Sequence, residues 1–195
     1  MKRILLPVFV FHISCFTSAI AQANLVPNWS FEDTSNCPND VGQIYSTLSW
    51  FSATSGTPDY YNECASFTSQ ASVPQNGFGF QYPKTGVAYA GILTYQYQTG
   101  SGGREYIEIE LLDSLTKGKK YCISFNVSLI ESAAPIDALQ ALLTKDSVIS
   151  IATLTLPYQP SITNESGHLI NDTLNWVLIS GEYVAGGGGN FFNYR

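Results

Sequence analysis

The sequence predicts an all-β protein, a sandwich of two antiparallel sheets with the connections of a jelly roll. Short segments of alternating apolar and polar residues recur along the chain, separated by stretches rich in Gly, Pro and Asn. Aromatic residues make up 13% of the chain and charged residues only 12%, against about 25% charged in an average soluble domain. This composition is typical of a β-rich exported protein rather than a helical cytosolic one.

Residues 1–21 predict a cleaved signal peptide. Lys2 and Arg3 precede the apolar run 4–13, and residues 19–21 (Ala-Ile-Ala) form the small-x-small pattern that signal peptidase recognises. A second such site ends two residues later, at Ala23. The apolar run is too short to span a bilayer, which disfavours a retained membrane anchor. We therefore expect export to the periplasm, the cell surface or the exterior, with no transmembrane segment after the signal peptide is removed.

The rest of the chain is long enough for one domain, which we place at residues 22–185. Residues 106–111 alternate and predict a strand, with Ile107 and Ile109 facing the core and Tyr106 and Glu108 facing solvent. The expected core residues elsewhere include Trp29, Phe31 and Trp176.

Residues 121–129 alternate in the same way, and we expect this strand to be the antiparallel neighbour of the strand at 106–111. Further strands are predicted at 88–95 and 176–184, whereas residues 64–87 are predicted to be mostly loop. Residues 136–145 fit a helix or a strand. We favour a strand because the neighbouring segments are strands and an isolated helix of this length has little stability of its own.

Three cysteines, Cys37, Cys64 and Cys122, follow the signal peptide. Export favours a disulfide, and Cys37 with Cys64 is the natural pair because both lie in turn-rich sequence. Cys122 lies inside a predicted strand and is expected to be a small buried hydrophobic residue. Zinc is disfavoured because the cysteines are far apart and His168 is the single histidine after residue 21.

Short segments with a shared pattern run in order over nearly the whole chain after the signal peptide: residues 24–28 (NLVPN), 30–32 (SFE), 56–62, 73–74, 86–92, 104–107, 118–121 and 176–185. Together they resemble the galactose-binding-domain-like jelly rolls of secreted and surface proteins of gliding-type Gram-negative bacteria. Some of those proteins carry an outer-membrane-protein-A-type domain further on. The resemblance implies a function like that of carbohydrate-binding modules and makes residues 24–32 the opening strand.

The resemblance also implies that Glu32 helps to hold a structural calcium ion, since calcium prefers several oxygen ligands. Apart from that ion, the sequence indicates no cofactor. After residue 185 the resemblance predicts an acidic residue and a final apolar strand, but residues 186–189 are glycines, which form strands poorly. Residues 186–195 are therefore expected to be an atypical tail, through truncation or a shifted reading frame, and the sandwich to lack its last strand.

Sugar binding needs flat aromatic faces and a few polar groups that bind hydroxyls. The candidate ligand-binding residues combine these two properties and lie at predicted loops or strand ends, where function is common: Trp50, Asp59, Tyr60, Tyr61, Asn62, Gln81, Tyr82, Tyr95, Tyr97 and Arg104.

The favoured hypothesis is therefore a non-catalytic carbohydrate-binding-like or adhesion module at the cell surface, with a glycan or an envelope protein as its partner. The alternative is an accessory domain of a larger envelope protein that binds no sugar. The chain has nine basic and fifteen acidic residues. Nucleic acid is excluded as a partner because this net negative charge would be repelled by a phosphate backbone.

A glycoside hydrolase is the third hypothesis, with Glu108 and Glu110 as its paired carboxylates. Their outward alternation fits a solvated sheet face at least as well. A triad would have to use His168, but the sequence has no nucleophile-elbow motif, and His168 is expected to be a solvated loop residue. The sequence therefore favours a protein that is not an enzyme.

Overall fold

The computed structural model describes residues 23–95, 103–150, 155–165 and 167–194. Within these ranges the chain forms eleven β-strands and a single 3-10 turn at Ile44–Ser46. The all-β prediction is confirmed. None of the described residues belongs to a helix with the length and apolarity that crossing a membrane requires.

The strands, in chain order, are β1 (Trp50–Ser52), β2 (Asp59–Asn62), β3 (Gln75–Asn76), β4 (Gly79–Phe80), β5 (Ala88–Gly91), β6 (Ile107–Glu110), β7 (Lys120–Val127), β8 (Gln140–Thr144), β9 (Ile162–Thr163), β10 (Val177–Val184) and β11 (Phe191–Tyr194). The predicted strands at 88–95, 106–111, 121–129 and 176–184 therefore exist with somewhat different bounds. The ambiguous segment 136–145 contains β8, so the strand prediction is confirmed.

One layer of the sandwich is a five-stranded antiparallel sheet in the order β1-β6-β11-β8-β9. In its middle, Phe192 of β11 lies opposite Ile109 of β6 on one side and Leu143 of β8 on the other. The other layer consists of two separate antiparallel pairs, β7 with β10 and β2 with β5. A short β3–β4 hairpin lies in the predicted loop region.

The core lies between the two layers. Its buried side chains come from β1, β6, β8, β9 and β11 of the large sheet and from β7 and β10 opposite: Trp50, Ile107, Ile109, Ala141, Ile162, Phe192, Ile123, Phe125 and Ile179. The strict alternation of β7 explains its position, because Tyr121, Ile123 and Phe125 face inward while the residues between them are exposed.

The prediction that the strands at 106–111 and 121–129 are neighbours is wrong. β6 pairs with β1 and β11, whereas β7 pairs with β10. The connection between them crosses the sandwich: the Leu111 N–H donates to Asn190 O beside β11, and the Gly118 N–H donates to Ala185 O after β10. Apolar alternation gives each strand an inward face, and two such faces pack across a core as well as side by side.

Residues 24–32 were expected to be the opening strand, but they form turns. Asn28 and Phe31 have left-handed backbones, with φ of 42° and 64°, a conformation that Asn adopts more readily than most residues. The Asn28 side chain secures the turn, since its Oδ1 accepts from the Asp33 N–H and its Nδ2 donates to Leu48 O. The turn therefore replaces the predicted strand.

The tail also differs from the prediction. Residues 191–194 were expected to lie outside a sandwich that ends at 185, yet they form β11, with partners on both edges. The glycines before it form a loop, and the Leu115 N–H holds this loop in place by donating a hydrogen bond to Gly189 O. Phe192 is buried, so the apolar contacts of this strand outweigh the poor strand propensity of the preceding glycines.

The predicted disulfide is confirmed: Cys37 and Cys64 are bonded, with their Cα atoms 5.8 Å apart. The prediction for Cys122 is wrong, because this thiol is exposed. Cys122 occupies one of the outward positions of β7, together with Ser124 and Asn126.

Candidate functional site

A cleft of about 1690 Å³ opens between β5 and β7. Its walls are the continuous segments 88–95 and 121–131, together with residues 133–139 after β7, and its floor includes Ile107, Phe192 and Tyr194 of the five-stranded sheet. The cleft therefore separates the two strand pairs of the second layer, and its floor consists of largely buried side chains of the opposite sheet. We call it the β5–β7 cleft.

Exposed aromatic side chains surround this cleft. They come from the N-terminal turn, the β3–β4 hairpin and the segment after β5: Trp29, Phe78, Phe80 and Tyr95. Trp29 was expected in the core, but the turn at residues 27–30 directs it outward and leaves it 57% exposed. Burying such rings under a ligand would be favourable, because aromatic rings offer large flat apolar faces.

Polar groups lie among these rings. The Arg104 guanidinium is 5.5 Å from the centroid of the Tyr95 ring, and its Nη1 donates to Thr94 O. The Gln81 amide donates to Ser128 Oγ across one end of the cleft. The arrangement offers stacking surfaces together with hydrogen-bonding groups, which are the two components of a polar-ligand site.

Five of the predicted ligand-binding residues line this one cleft: Asp59, Tyr61, Gln81, Tyr95 and Arg104. Tyr82 is exposed beside it, with its ring in edge contact with Phe80 at 5.3 Å between centroids. Tyr97 lies outside the described residues. Sequence reasoning missed Phe78 and Phe80, although the turn sequence 76–79 (Asn-Gly-Phe-Gly) indicates a hairpin tip that exposes its aromatic residues.

Trp50 and Tyr60 have core positions instead of ligand-binding ones. Trp50 stacks between Phe31 and Tyr194, with ring centroids 4.8 and 5.9 Å away, and its Nε1 donates to Asn28 O. Tyr60 is fully buried, and its hydroxyl donates to Phe31 O at 2.9 Å. Neither ring has a free face for a ligand, so the prediction that Trp50 and Tyr60 bind a ligand is wrong.

Asn62 is also buried, with its Nδ2 donating to the Tyr60 hydroxyl at 2.7 Å. Its Oδ1 accepts from the Cys64 N–H at 2.8 Å, which joins the end of β2 to the disulfide. Asn62 is therefore a structural residue rather than a ligand-binding one.

Asp59 has an unusual environment for a carboxylate. It is almost fully buried, and burial is the main cause that raises its pKa to about 6. Two donors oppose this effect, the Gly42 N–H at 2.6 Å from Oδ1 and the Tyr61 hydroxyl at 2.8 Å from Oδ2. The carboxyl thus joins β2 to the loop before it.

The predicted calcium ligand Glu32 already has a protein donor. Both of its carboxylate oxygens lie 3.1 Å from the Val87 N–H. The carboxylate packs so closely on Gly86, which has a left-handed backbone, that a Cβ there would clash with it. No group of three or more His, Cys, Asp or Glu side chains able to hold a metal occurs in the described ranges. Glu32 therefore joins the N-terminal turn to the start of β5, and the calcium ion at this residue stays a prediction.

Glu108 was expected on a solvated face, but it is fully buried. Its carboxylate accepts from Ser147 Oγ at 2.5 Å and from the Val148 N–H at 2.9 Å. Burial raises the pKa of this group, and the two donors oppose the rise. Ser147, Val148 and Leu156 thus cover this face, so the solvated-face prediction for Tyr106 and Glu108 is wrong, while Glu110 is exposed.

His168 is exposed, as predicted, with Nδ1 2.9 Å from the Glu165 carboxylate. Comparisons with known proteins add no further information on the site, because no protein-family model, curated protein or solved structure matches the chain.

Proposed function

We propose that the chain is a non-catalytic binding or adhesion module, exported to the cell surface or exterior, whose ligand is carbohydrate. The observation that carries this proposal is the ring of exposed aromatic side chains at the β5–β7 cleft. Exposed aromatic residues gathered at a concave site are a common feature of binding surfaces, whereas single exposed apolar residues need no explanation.

The chemistry of the rim fits a sugar. The apolar C–H face of a pyranose stacks on an aromatic ring, and its hydroxyls need donors and acceptors at the edges. Tyr95 supplies such a ring beside the Arg104 guanidinium, and Gln81, which also lines the cleft, directly follows Phe80 in the chain. The chain has a net charge of −6, which also favours a neutral or cationic ligand over an anionic one.

Glycan-array binding by the exported chain, residues 22–195, tests this proposal. We expect binding to at least one glycan class, and we expect Tyr95→Ala to weaken it at least about tenfold, a loss of ~1.4 kcal/mol. Tyr45→Ala is the matched control, because Tyr45 is also exposed but does not line the cleft.

A folded sample that binds nothing across a diverse array would overturn the proposal. So would equal losses for Tyr95→Ala and Tyr45→Ala, since these would remove the link between binding and the cleft.

A further inference from the structure

We propose that the β5–β7 cleft accepts an extended, basic segment of a partner polypeptide, which adds a β-strand to the second layer of the sandwich. This inference goes beyond the proposed function, because it concerns the walls and floor of the cleft rather than its aromatic rim. It rests on four features of the cleft: its exposed strand edges, its size, its apolar floor and its charge.

The walls of the cleft are strand edges. Side chains alternate between the two faces of a strand, so a cleft lined by every consecutive residue of a strand faces the edge of that strand. This is the case for residues 88–95 and for residues 121–131. Within the described ranges β5 pairs with β2 alone and β7 with β10 alone. Each therefore presents one edge with N–H and C=O groups available for another strand.

The size of the cleft fits a peptide better than a small molecule. Its volume of about 1690 Å³ exceeds the roughly 300–1,000 Å³ typical of small-molecule pockets. β7 has eight residues, which correspond to about 27 Å of edge at ~3.4 Å per residue. One added strand between β5 and β7 would join the two separate pairs into one continuous sheet.

The floor sets the pattern of the incoming segment. Ile107, Phe192 and Tyr194 form it, and all three are apolar or aromatic. Every second side chain of an added strand would point to this floor, while the others would point to solvent. The partner segment therefore needs apolar residues at alternate positions.

Charge selects the other positions. Four acidic side chains line the cleft, namely Asp59, Glu105, Glu131 and Asp137, against two basic ones, Lys84 and Arg104. Arg104 is already engaged by Tyr95 and by Thr94 O, and Asp59 and Glu105 by protein donors, which leaves Glu131 and Asp137 against Lys84. The whole chain is acidic as well. Lys and Arg at the solvent-facing positions of the segment would complement this charge and speed its association.

Peptide binding tests the proposal with the exported chain, residues 22–195. The probe is a labelled peptide of about ten residues, enough to span β7, with valine at alternate positions and lysine or threonine between them. A second peptide of the same composition, with its valines grouped, is the control. We expect the alternating peptide to bind at least about tenfold more tightly in fluorescence anisotropy. No binding, or equal binding of the two peptides, would overturn the proposal.

Disulfide trapping at Cys122 tests the geometry. Cys122 faces outward on β7 at the edge of the cleft. In a series of alternating peptides with one cysteine, moved a single position at a time, cross-linking should peak at the outward position opposite Cys122 and be absent at the two adjacent positions, which face the floor. The double variant Cys122→Ser, Glu182→Cys is the matched control, since Glu182 lies opposite Cys122 on β10, one strand further from the cleft. It should not cross-link.

Cross-linking at all positions, or equally by the control variant, would contradict strand addition. Cross-linking of Cys122 between two copies of the chain without peptide would assign the cleft to a second copy and would also overturn the proposal. A failed glycan array with intact peptide binding would overturn only the proposed function.

Discussion

The five-stranded sheet and the layer opposite it contain similar strands but differ in how completely they are paired. In the large sheet β6, β11 and β8 each have partners on both edges. In the opposite layer β5 and β7 each have one partner, and the cleft lies between them. The difference shows that an alternating sequence determines which face of a strand is buried but does not determine whether both of its edges have partner strands.

The outer faces of the two layers differ as well. Tyr106, directly before β6, and Glu108 on β6 are buried against Val148 and Leu156. On β7, the outward residues Cys122, Ser124 and Asn126 are exposed. The large sheet is therefore the closed part of the molecule, and the second layer is its open part.

The largest expected effect is at the middle of the closed sheet. Phe192→Ala removes a buried ring from β11 and should lower the free energy of unfolding by about 3–5 kcal/mol. Leu178→Ala on β10 is the control, since this side chain is 61% exposed; its effect should stay within about 0.5 kcal/mol. Urea denaturation measures both. Equally small losses would show that β11 is not a central strand of the fold.

The next effect concerns the open layer. The Cys37–Cys64 disulfide spans a sequence separation of 27 residues and closes beside the four-residue strand β2. Its removal by a double Cys→Ser change should cost roughly 3–4 kcal/mol on the chain-entropy model. Cys122→Ser is the control and should change little because the thiol is exposed. Urea denaturation of the parent and of the double variant measures this difference. A loss in the free energy of unfolding below ~1 kcal/mol would contradict a stabilising role for the disulfide.

A pH effect of similar or smaller size is expected at Asp59. Burial raises its pKa to about 6 in the folded chain, from a usual value of 3.8. Between these values the folded state holds a proton that the unfolded state has lost, so stability falls as the pH rises from 4 to 6. The fall contributed by this group is about 3 kcal/mol.

Asp59→Asn removes this contribution and keeps an acceptor for the Gly42 N–H, while its Nδ2 would donate to the Tyr61 hydroxyl, which donates to Oδ2 in the parent. We expect the stability of the variant to exceed that of the parent increasingly from pH 4 to pH 6. Glu63→Gln, an exposed change, is the control. If the free energies of unfolding of the parent and Asp59→Asn changed in parallel with pH, the raised pKa of Asp59 in the folded chain would be contradicted.

Much of the fold could be predicted from the sequence, because alternation directly reflects which side of a strand is buried. The strands at 107–110 and 120–127 follow from it, whereas the strand at 140–144 was favoured only because its neighbours are strands. Their partners could not be predicted, since β6 and β7 have the same pattern whether they lie side by side or face each other. The burial of Glu108 could not be predicted for a similar reason, because the residues that pack over it lie about 40 positions later in the chain.

The candidate site was predictable in part. Tyr95, Arg104 and Gln81 lie in loops or at strand ends, where exposure is common, and they do line the cleft. Trp50 and Tyr60 have the same residue types but lie in β1 and β2, whose inward faces meet the core. Residue type alone cannot distinguish an aromatic ring that stacks on a ligand from one that packs in the core.

Hydrogen exchange of the free chain, followed residue by residue by NMR, tests the contrast between the closed and open layers most directly. Along Tyr121–Val127, amides that point to β10 should be protected, and those that point to the cleft should exchange at least about a hundredfold faster. The amides of Ile109 and Phe192 should be among the slowest. Alternating protection along β7 is the result we predict, and uniform protection along β7 in the free chain would contradict an open second layer.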